Sequence, residues 1–175
     1  MSAARPPEGA RSAAEGGGTS VIALPQAESH LLAMTVADLD EVLAIELQAY
    51  SAPWSRGNFI DSLAAGYEAR VLRGPDGGLW AYFLAMPGVD EMHLLNLTVA
   101  PGHEGRGLAR FMLDRLCEIS RHHGAAQLWL EVRVSNVRAR QLYERYGFAQ
   151  AGLRRGYYPA AAGQREDAAL MSLHL

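Results

Sequence analysis

A glycine-rich loop between an apolar strand and an amphipathic helix constrains the fold of this chain more than any other feature. The loop, APGHEGRGLAR, follows the apolar stretch 91–99 and precedes residues 108–121, where leucine and methionine repeat at helical spacing. Gly124 marks the end of that helix, and a second apolar stretch follows at 127–134. A strand, a helix and a second strand in this order predict a βαβ unit, in which the two strands lie parallel.

Further strands and helices surround this unit. Thr35 to Asp38 has the pattern of a capping box, Ser55 is a typical N-cap, and Gly66 and Gly147 are typical helix ends. The whole pattern is α/β, and it predicts a single-domain mixed, mostly antiparallel sheet flanked by about four helices. The additional strands are predicted over 30–34, 68–73, 79–86, 148–155 and 167–173, and the additional helices over 36–47, 55–66 and 135–146.

Composition separates the chain into two parts and excludes several functions. Residues 1–28 are rich in Ala, Gly, Pro, Ser and Glu, which predicts a disordered tail before a domain over 29–175. The net charge of −3 argues against a nucleic-acid partner, and no apolar run is long enough to span a membrane. Cys117 is the single cysteine and the histidines lack ligand spacing, so we expect no metal and a cytoplasmic location. We also expect a monomer.

The glycine loop by itself leaves two interpretations open. Gly102, Gly105 and Gly107 precede a helix N-terminus, where free N–H groups favour anions, so the loop is either a phosphate cradle or a flexible turn. The dinucleotide fingerprint fails because Arg110 occupies its third glycine position. A Walker loop fails because Leu108 and Ala109 replace the required lysine and hydroxyl residue.

Two residues next to the βαβ unit are candidates for acid–base chemistry. Glu131 lies in the apolar strand 127–134, at the end where a parallel sheet opens toward ligands. Tyr143 lies on the following helix, and Asn136, seven residues earlier, is expected on nearly the same face. The alternatives are a solvated rim glutamate paired with Arg133 and a buried tyrosine bonded to backbone.

Several stretches in order resemble the GCN-related N-acetyltransferase (GNAT) superfamily. Within EGRGLA, Gly107 and Ala109 match its Arg/Gln-x-x-Gly-x-Gly/Ala signature, whereas Glu104 departs from it. Within this superfamily, residues 30–175 are most similar to the RimI-type N-terminal alanine acetyltransferases of ribosomal proteins. The stretches that carry the resemblance are APWS (52–55), NLTVAPGHEGRGLAR (96–110), LWLEVRVSN (128–136), ARQLYERYGF (139–148), RRGYYP (154–159) and REDAALM (165–171).

The resemblance implies a reaction, a cofactor and site residues. It implies acetyl transfer from acetyl-CoA to the α-amine of an N-terminal alanine in a ribosomal protein, with Glu131 as general base and Tyr143 as general acid. It also implies a sheet that splays between strands 91–99 and 127–134, with Trp54, Tyr157 and Tyr158 beside the acceptor channel. Asn136 and the strand before the loop would contact coenzyme A, and the loop would bind its pyrophosphate. The implied cofactor-binding residues are Leu97, Thr98, Val99, Gly105, Arg106, Gly107, Leu108, Ala109, Arg110 and Asn136.

Other functions fit the same resemblance. The chain could acetylate a small-molecule amine or a lysine, or it could be a silent acyl-CoA-binding sensor. The acidic residues Asp38, Asp40, Glu41, Asp90 and Glu91 either attract a basic peptide or form an ordinary solvated face.

Overall fold

A computed structural model describes residues 30–175 and contains one seven-stranded sheet with helices on both faces. The predicted tail, 1–28, lies outside the described residues. The sheet order is β1-β2-β3-β4-β5-β7-β6. The strands are β1 (His30–Ala33), β2 (Glu68–Arg73), β3 (Leu79–Pro87), β4 (Glu91–Val99), β5 (Gln127–Arg133), β6 (Ala149–Pro159) and β7 (Arg165–His174). The helices are α1 (Leu39–Ala49), α2 (Arg56–Ala64), α3 (Leu108–His122) and α4 (Val137–Tyr146).

The predicted fold class is confirmed by the strand pairing. β4 and β5 pair in parallel, and α3 connects them, as the βαβ pattern requires. All other neighbouring strands pair antiparallel. The helix boundaries follow the sequence signals, since the Ser55 hydroxyl accepts from the Asn58 N–H and Gly124 adopts a φ of +79°.

The start of α4 and the lengths of the last two strands differ from prediction. α4 begins at Val137 rather than at residue 135, because Asn136 is its N-cap and accepts a hydrogen bond from the Ala139 N–H at 3.0 Å. The last hairpin is longer than predicted, because β6 continues to Pro159 through an irregular segment around Gly156. The Arg165 guanidinium stabilises that segment by donating to the carbonyls of Gly156 and Tyr157.

A bulge in β4 creates the opening in the sheet. Leu84 pairs with Asn96 and Ala85 pairs with Leu94, so Leu95 is the extra residue on β4. Pairing with β5 stops at Leu94 and Leu130, although both strands continue. The predicted splay between these strands is therefore confirmed, and the edge of β4 that faces β5 is unpaired beyond Leu94.

The bulge also changes the face toward which β4 side chains point. Met92 and Leu94 belong to the core under α3, and Leu97 packs against the same core, which strict alternation would not allow. Asn96 and Thr98 are buried but lie outside that apolar core. The second core lies under α1 and α2 and contains Leu39, Val42, Phe59, Tyr82 and Leu84.

Candidate active site

A cavity of about 480 Å³ lies where β4 and β5 separate. Its walls are formed by β4, β5, the α1–α2 loop, α4 and the end of β6. It contains both predicted catalytic residues, Glu131 and Tyr143. The lining residues are Glu46, Tyr50, Ala52, Pro53, Trp54, Leu94, Leu95, Asn96, Leu97, Leu130, Glu131, Val132, Arg133, Asn136, Ala139, Tyr143, Tyr158 and Pro159.

Glu131 lies on β5 just beyond the last residue that pairs with β4. Its side chain is 21% exposed, so it is neither a freely solvated carboxylate nor a sealed one. The alternative pairing with Arg133 is wrong, because Arg133 contacts Glu166 at 3.1 Å while Glu131 pairs with Arg154 at 2.9 Å. A carboxylate that is partly buried and open to a cavity can accept a proton from a bound molecule.

Tyr143 lies on the buried face of α4 and is 8% exposed. Its ring packs edge-on against Phe148. Within residues 30–175 its hydroxyl makes no hydrogen bond to another protein group, unlike the backbone-bonded tyrosine of the alternative interpretation. Burial, followed by the neighbouring phenols of Tyr50 and Tyr158, raises the pKa of Tyr143. The phenol therefore stays protonated and can donate its proton into the cavity.

Two more tyrosines frame the same cavity. The Tyr158 hydroxyl donates to the Glu131 carbonyl at 3.1 Å, and the Arg133 guanidinium lies 4.5 Å from the centre of the Tyr158 ring. Burial, followed by the charge of Glu131, raises the pKa of Tyr158 to about 12. Tyr50, which sequence reasoning missed, places its hydroxyl 3.3 Å from the Leu97 carbonyl. The cavity wall is thus rich in neutral hydroxyl groups.

The glycine loop has the backbone geometry of an anion cradle. Gly102, Gly105 and Gly107 all have φ between +73° and +82°, which favours glycine. Gly107 is the N-cap of α3 and has no side chain to satisfy the first helical N–H groups. These N–H groups are free to bind an anion such as a pyrophosphate. The Glu104 carboxylate accepts from the Gly102 N–H at 3.2 Å and so stabilises the turn.

The predicted cofactor-binding residues fall into two groups. Leu97 and Asn136 line the cavity. The cavity is not lined by Thr98, Val99 or the loop residues 105–110. These residues run from the opening in β4 to the start of α3. Asn136 is the N-cap of α4 rather than a residue inside the helix, and it lines the cavity together with Tyr143.

Sequence reasoning also missed Glu46. This residue is 1% exposed and contacts the cavity from α1. A signal was present, because Leu39, Val42 and Glu46 follow the helical spacing of a buried stripe, in which a carboxylate is unusual.

The acidic residues around the start of α1 lie elsewhere. Asp38 and Glu41 form ion pairs with Arg73 at 2.7 and 2.9 Å, and Asp40 pairs with Arg56. None of these residues lines the cavity. This arrangement favours the interpretation as an ordinary solvated face.

Within residues 30–175, no group of three or more histidine, cysteine, aspartate or glutamate side chains could hold a metal ion. No helix in that range is both long and apolar enough to cross a membrane.

This splayed sheet, with a glycine loop at one end and a cavity in the opening, defines an acetyltransferase of the GNAT class. The Acetyltransferase (GNAT) family matches residues 39–148, and the chain belongs to it. The predicted family and enzyme class are therefore confirmed.

Relatives within that family are similar over most of the chain. The [ribosomal protein bS18]-alanine N-acetyltransferase of Escherichia coli K12 is 39% identical over 136 residues, which cover 78% of this chain and 90% of that protein. A putative enzyme of the same name from Bacillus subtilis is 30% identical over 139 residues, 79% of this chain and 90% of that protein. The crystal structure of the ribosomal-protein-S18-alanine N-acetyltransferase from Escherichia coli superimposes with a TM-score of 0.76 at 36% identity, covering 83% and 93% of the two chains.

Proposed function

We propose that this protein transfers acetyl from acetyl-CoA to the α-amine of an N-terminal alanine in a ribosomal protein. The observation that carries the proposal is the position of Glu131 and Tyr143, which contact one cavity at the opening between β4 and β5. The similarity to bS18-alanine N-acetyltransferases supports the choice of acceptor. We propose that the reaction takes place in the cytoplasm, with a monomeric enzyme.

Glu131 acts as the general base in this proposal. The acceptor amine reaches the site largely as an ammonium ion and must lose a proton before its nitrogen can attack the thioester carbonyl. The Glu131 carboxylate takes that proton, directly or through one water. Its ion pair with Arg154 holds the carboxylate at the cavity wall without removing it from the cavity.

Tyr143 acts as the general acid. When the tetrahedral intermediate collapses, the carbon–sulfur bond breaks and the leaving thiolate takes the phenol proton. The raised pKa of Tyr143 keeps that proton in place until the thiolate appears. The attacking nitrogen loses its second proton as the amide forms, and that proton returns to the Tyr143 phenolate. Glu131 releases its proton to solvent, and the cycle closes.

The unpaired edge of β4 stabilises the oxyanion. Beyond Leu94 the backbone groups that would bond to β5 have no strand partner, so an N–H near Leu97 is available to the carbonyl oxygen. Asn136 and the loop from Gly105 to Arg110 hold the coenzyme A portion, and the α3 N-terminus favours its pyrophosphate.

Mass spectrometry of candidate ribosomal proteins incubated with enzyme and acetyl-CoA tests the proposal. We expect one added acetyl group on an N-terminal alanine. In a parallel assay, a peptide with a free N-terminal alanine should react faster than an N-blocked peptide that carries a lysine. Equal rates on the two peptides would favour a lysine or small-amine enzyme instead.

A further inference from the structure

A buried carboxylate connects four elements around the acceptor side of the cavity. Glu46 on α1 accepts from the Trp54 N–H at 2.9 Å, in the α1–α2 loop. It accepts from the Asn96 amide at 3.1 and 3.3 Å on β4, and from the Tyr82 hydroxyl on β3. These contacts join a helix, a loop and two strands through one side chain.

The residue type at position 46 follows from its neighbours. Trp54 N–H and the Asn96 amide nitrogen are donors, and the Tyr82 phenol, whose pKa is raised by burial and then by its hydrogen bond to Glu46, stays protonated and donates as well. A carboxylate is acceptor-only and satisfies all three. Glu46 is not among the ion pairs found in residues 30–175, so hydrogen bonds rather than a cation compensate its burial.

The network continues to a second wall of the cavity. The Thr98 hydroxyl donates to the Asn96 side-chain oxygen at 2.8 Å, and the Tyr50 hydroxyl lies 2.9 Å from Thr98. Tyr50 and Trp54 both line the cavity from the α1–α2 loop. Asn96 directly follows the bulged Leu95, so Glu46 also contacts β4 at the point where its register changes.

We infer that Glu46 is a positioning residue that fixes the α1–α2 loop against the bulged part of β4 and so shapes the peptide side of the cavity. The inference rests on the proposed function, because it concerns the acceptor of that reaction. The role requires the reach of a glutamate side chain, since its oxygens must meet Trp54, Asn96 and Tyr82 together. The negative charge alone is not sufficient.

Two substitutions separate reach from charge. Glu46→Asp keeps the charge but shortens the side chain by one methylene, so contacts to the loop and to β4 are lost together. Glu46→Gln keeps the length, and its amide can still accept from Trp54 and donate to the Tyr82 oxygen. Glu118→Asp is the matched control, because Glu118 is an exposed residue of α3 that pairs with Arg115.

The measurements are kcat and KM for an alanine-terminated peptide, and the rise in melting temperature caused by acetyl-CoA. For Glu46→Asp we expect kcat/KM for the peptide to fall on the order of 10²-fold, the usual effect of a small misplacement. The fall in kcat/KM should be clearly smaller for Glu46→Gln, and the kcat/KM of Glu118→Asp should match that of the wild-type protein. The acetyl-CoA shift should persist in all three, because the glycine loop does not contact Glu46.

Wild-type peptide kinetics in Glu46→Asp would overturn the inference. A greater loss of kcat/KM in Glu46→Gln than in Glu46→Asp would also overturn it, because it would assign the role to charge. If Glu46→Asp does not fold, Tyr82→Phe removes a single donor and should still raise the peptide KM about fivefold. An unchanged KM there would overturn the inference as well. Failure of the proposed function itself would appear separately, as a wild-type protein that acetylates no peptide.

Discussion

Arg154 lies 2.9 Å from Glu131, across β7, on the outermost strand of the sheet. The pair joins the end of β5 to the irregular part of β6, where 54% of the Arg154 side chain is exposed. Because the arginine side is open to solvent, the pair orients the carboxylate without sealing it. The base of the proposed reaction is therefore held by a contact that sequence spacing did not suggest.

Glu131→Gln and Tyr143→Phe should each lower kcat by roughly 10²–10⁴-fold, the usual range for a general acid or base. The combined variant should lose less than the product of the two effects, because both groups act in one reaction. Acetyl-CoA affinity should barely change, since neither side chain is assigned to the coenzyme. Steady-state kinetics with an alanine-terminated peptide measures the rates.

The control residues for this prediction lie on α4, the helix that carries Tyr143. Glu144→Gln replaces an exposed carboxylate that contacts Arg140, and Tyr146→Phe removes a hydroxyl bonded to Asp114. Neither residue lines the cavity, so both variants should retain wild-type kcat. A Glu131→Gln rate within about threefold of wild type, far below the usual effect of losing a general base, would return Glu131 to a structural role.

Gly107→Val should abolish the rise in melting temperature that acetyl-CoA causes. A ligand that binds only the folded state stabilises it, so the wild-type protein should show the shift. Gly107 has a φ of +77°, and a β-branched residue there would distort the loop that holds the pyrophosphate. Thermal unfolding with and without acetyl-CoA measures the effect.

Gly66→Val is the matched control for that substitution. Gly66 has nearly the same φ, +76°, follows α2 and has no heavy atom near an added Cβ. Gly66→Val should lower the melting temperature about as much as Gly107→Val does, but it should leave the acetyl-CoA shift intact. Loss of the shift in both variants, or in neither, would contradict the assignment of the loop.

The free energy of unfolding should fall as pH rises above about 10, where tyrosine ionises in an unfolded chain. Tyr143 has a raised pKa in the folded protein, so its contribution is fully present below that pH and is lost as pH rises through the folded value. Tyr143→Phe should make the fall of the unfolding free energy with pH less steep, by about 1.4 kcal/mol per pH unit in this range. Denaturant unfolding at pH 9 to 12, roughly spanning the tyrosine range, tests this, and equal slopes would contradict it.

Removal of residues 1–28 should leave the fold and the chemistry unchanged. Their composition cannot provide a core, and every residue assigned to the site lies within the domain. The melting temperature and kcat/KM of the shortened protein should match those of the full chain. A large loss of kcat/KM would assign the tail a part in acceptor binding.

The sequence by itself determined the features that arise from local interactions. The apolar repeat of α3, the caps at Ser55 and Gly124 and the glycines before α3 depend on residues a few positions apart. These signals were sufficient for the element order, the βαβ unit and the position of the glycine loop. The catalytic roles of Glu131 and Tyr143 came from resemblance to a family and remain predictions, although both residues do reach one cavity.

Only the tertiary structure decided the contacts that depend on strand register. The bulge at Leu95 turns Asn96 and Thr98 away from the core under α3, and Asn96 thereby meets a glutamate fifty residues earlier in the chain. The same holds for Arg154. It, and not Arg133, pairs with Glu131, because the pairing of β7 with both β5 and β6 brings the two residues together. Such contacts join residues distant in sequence, and a shift of one residue in pairing would send each side chain to the opposite face.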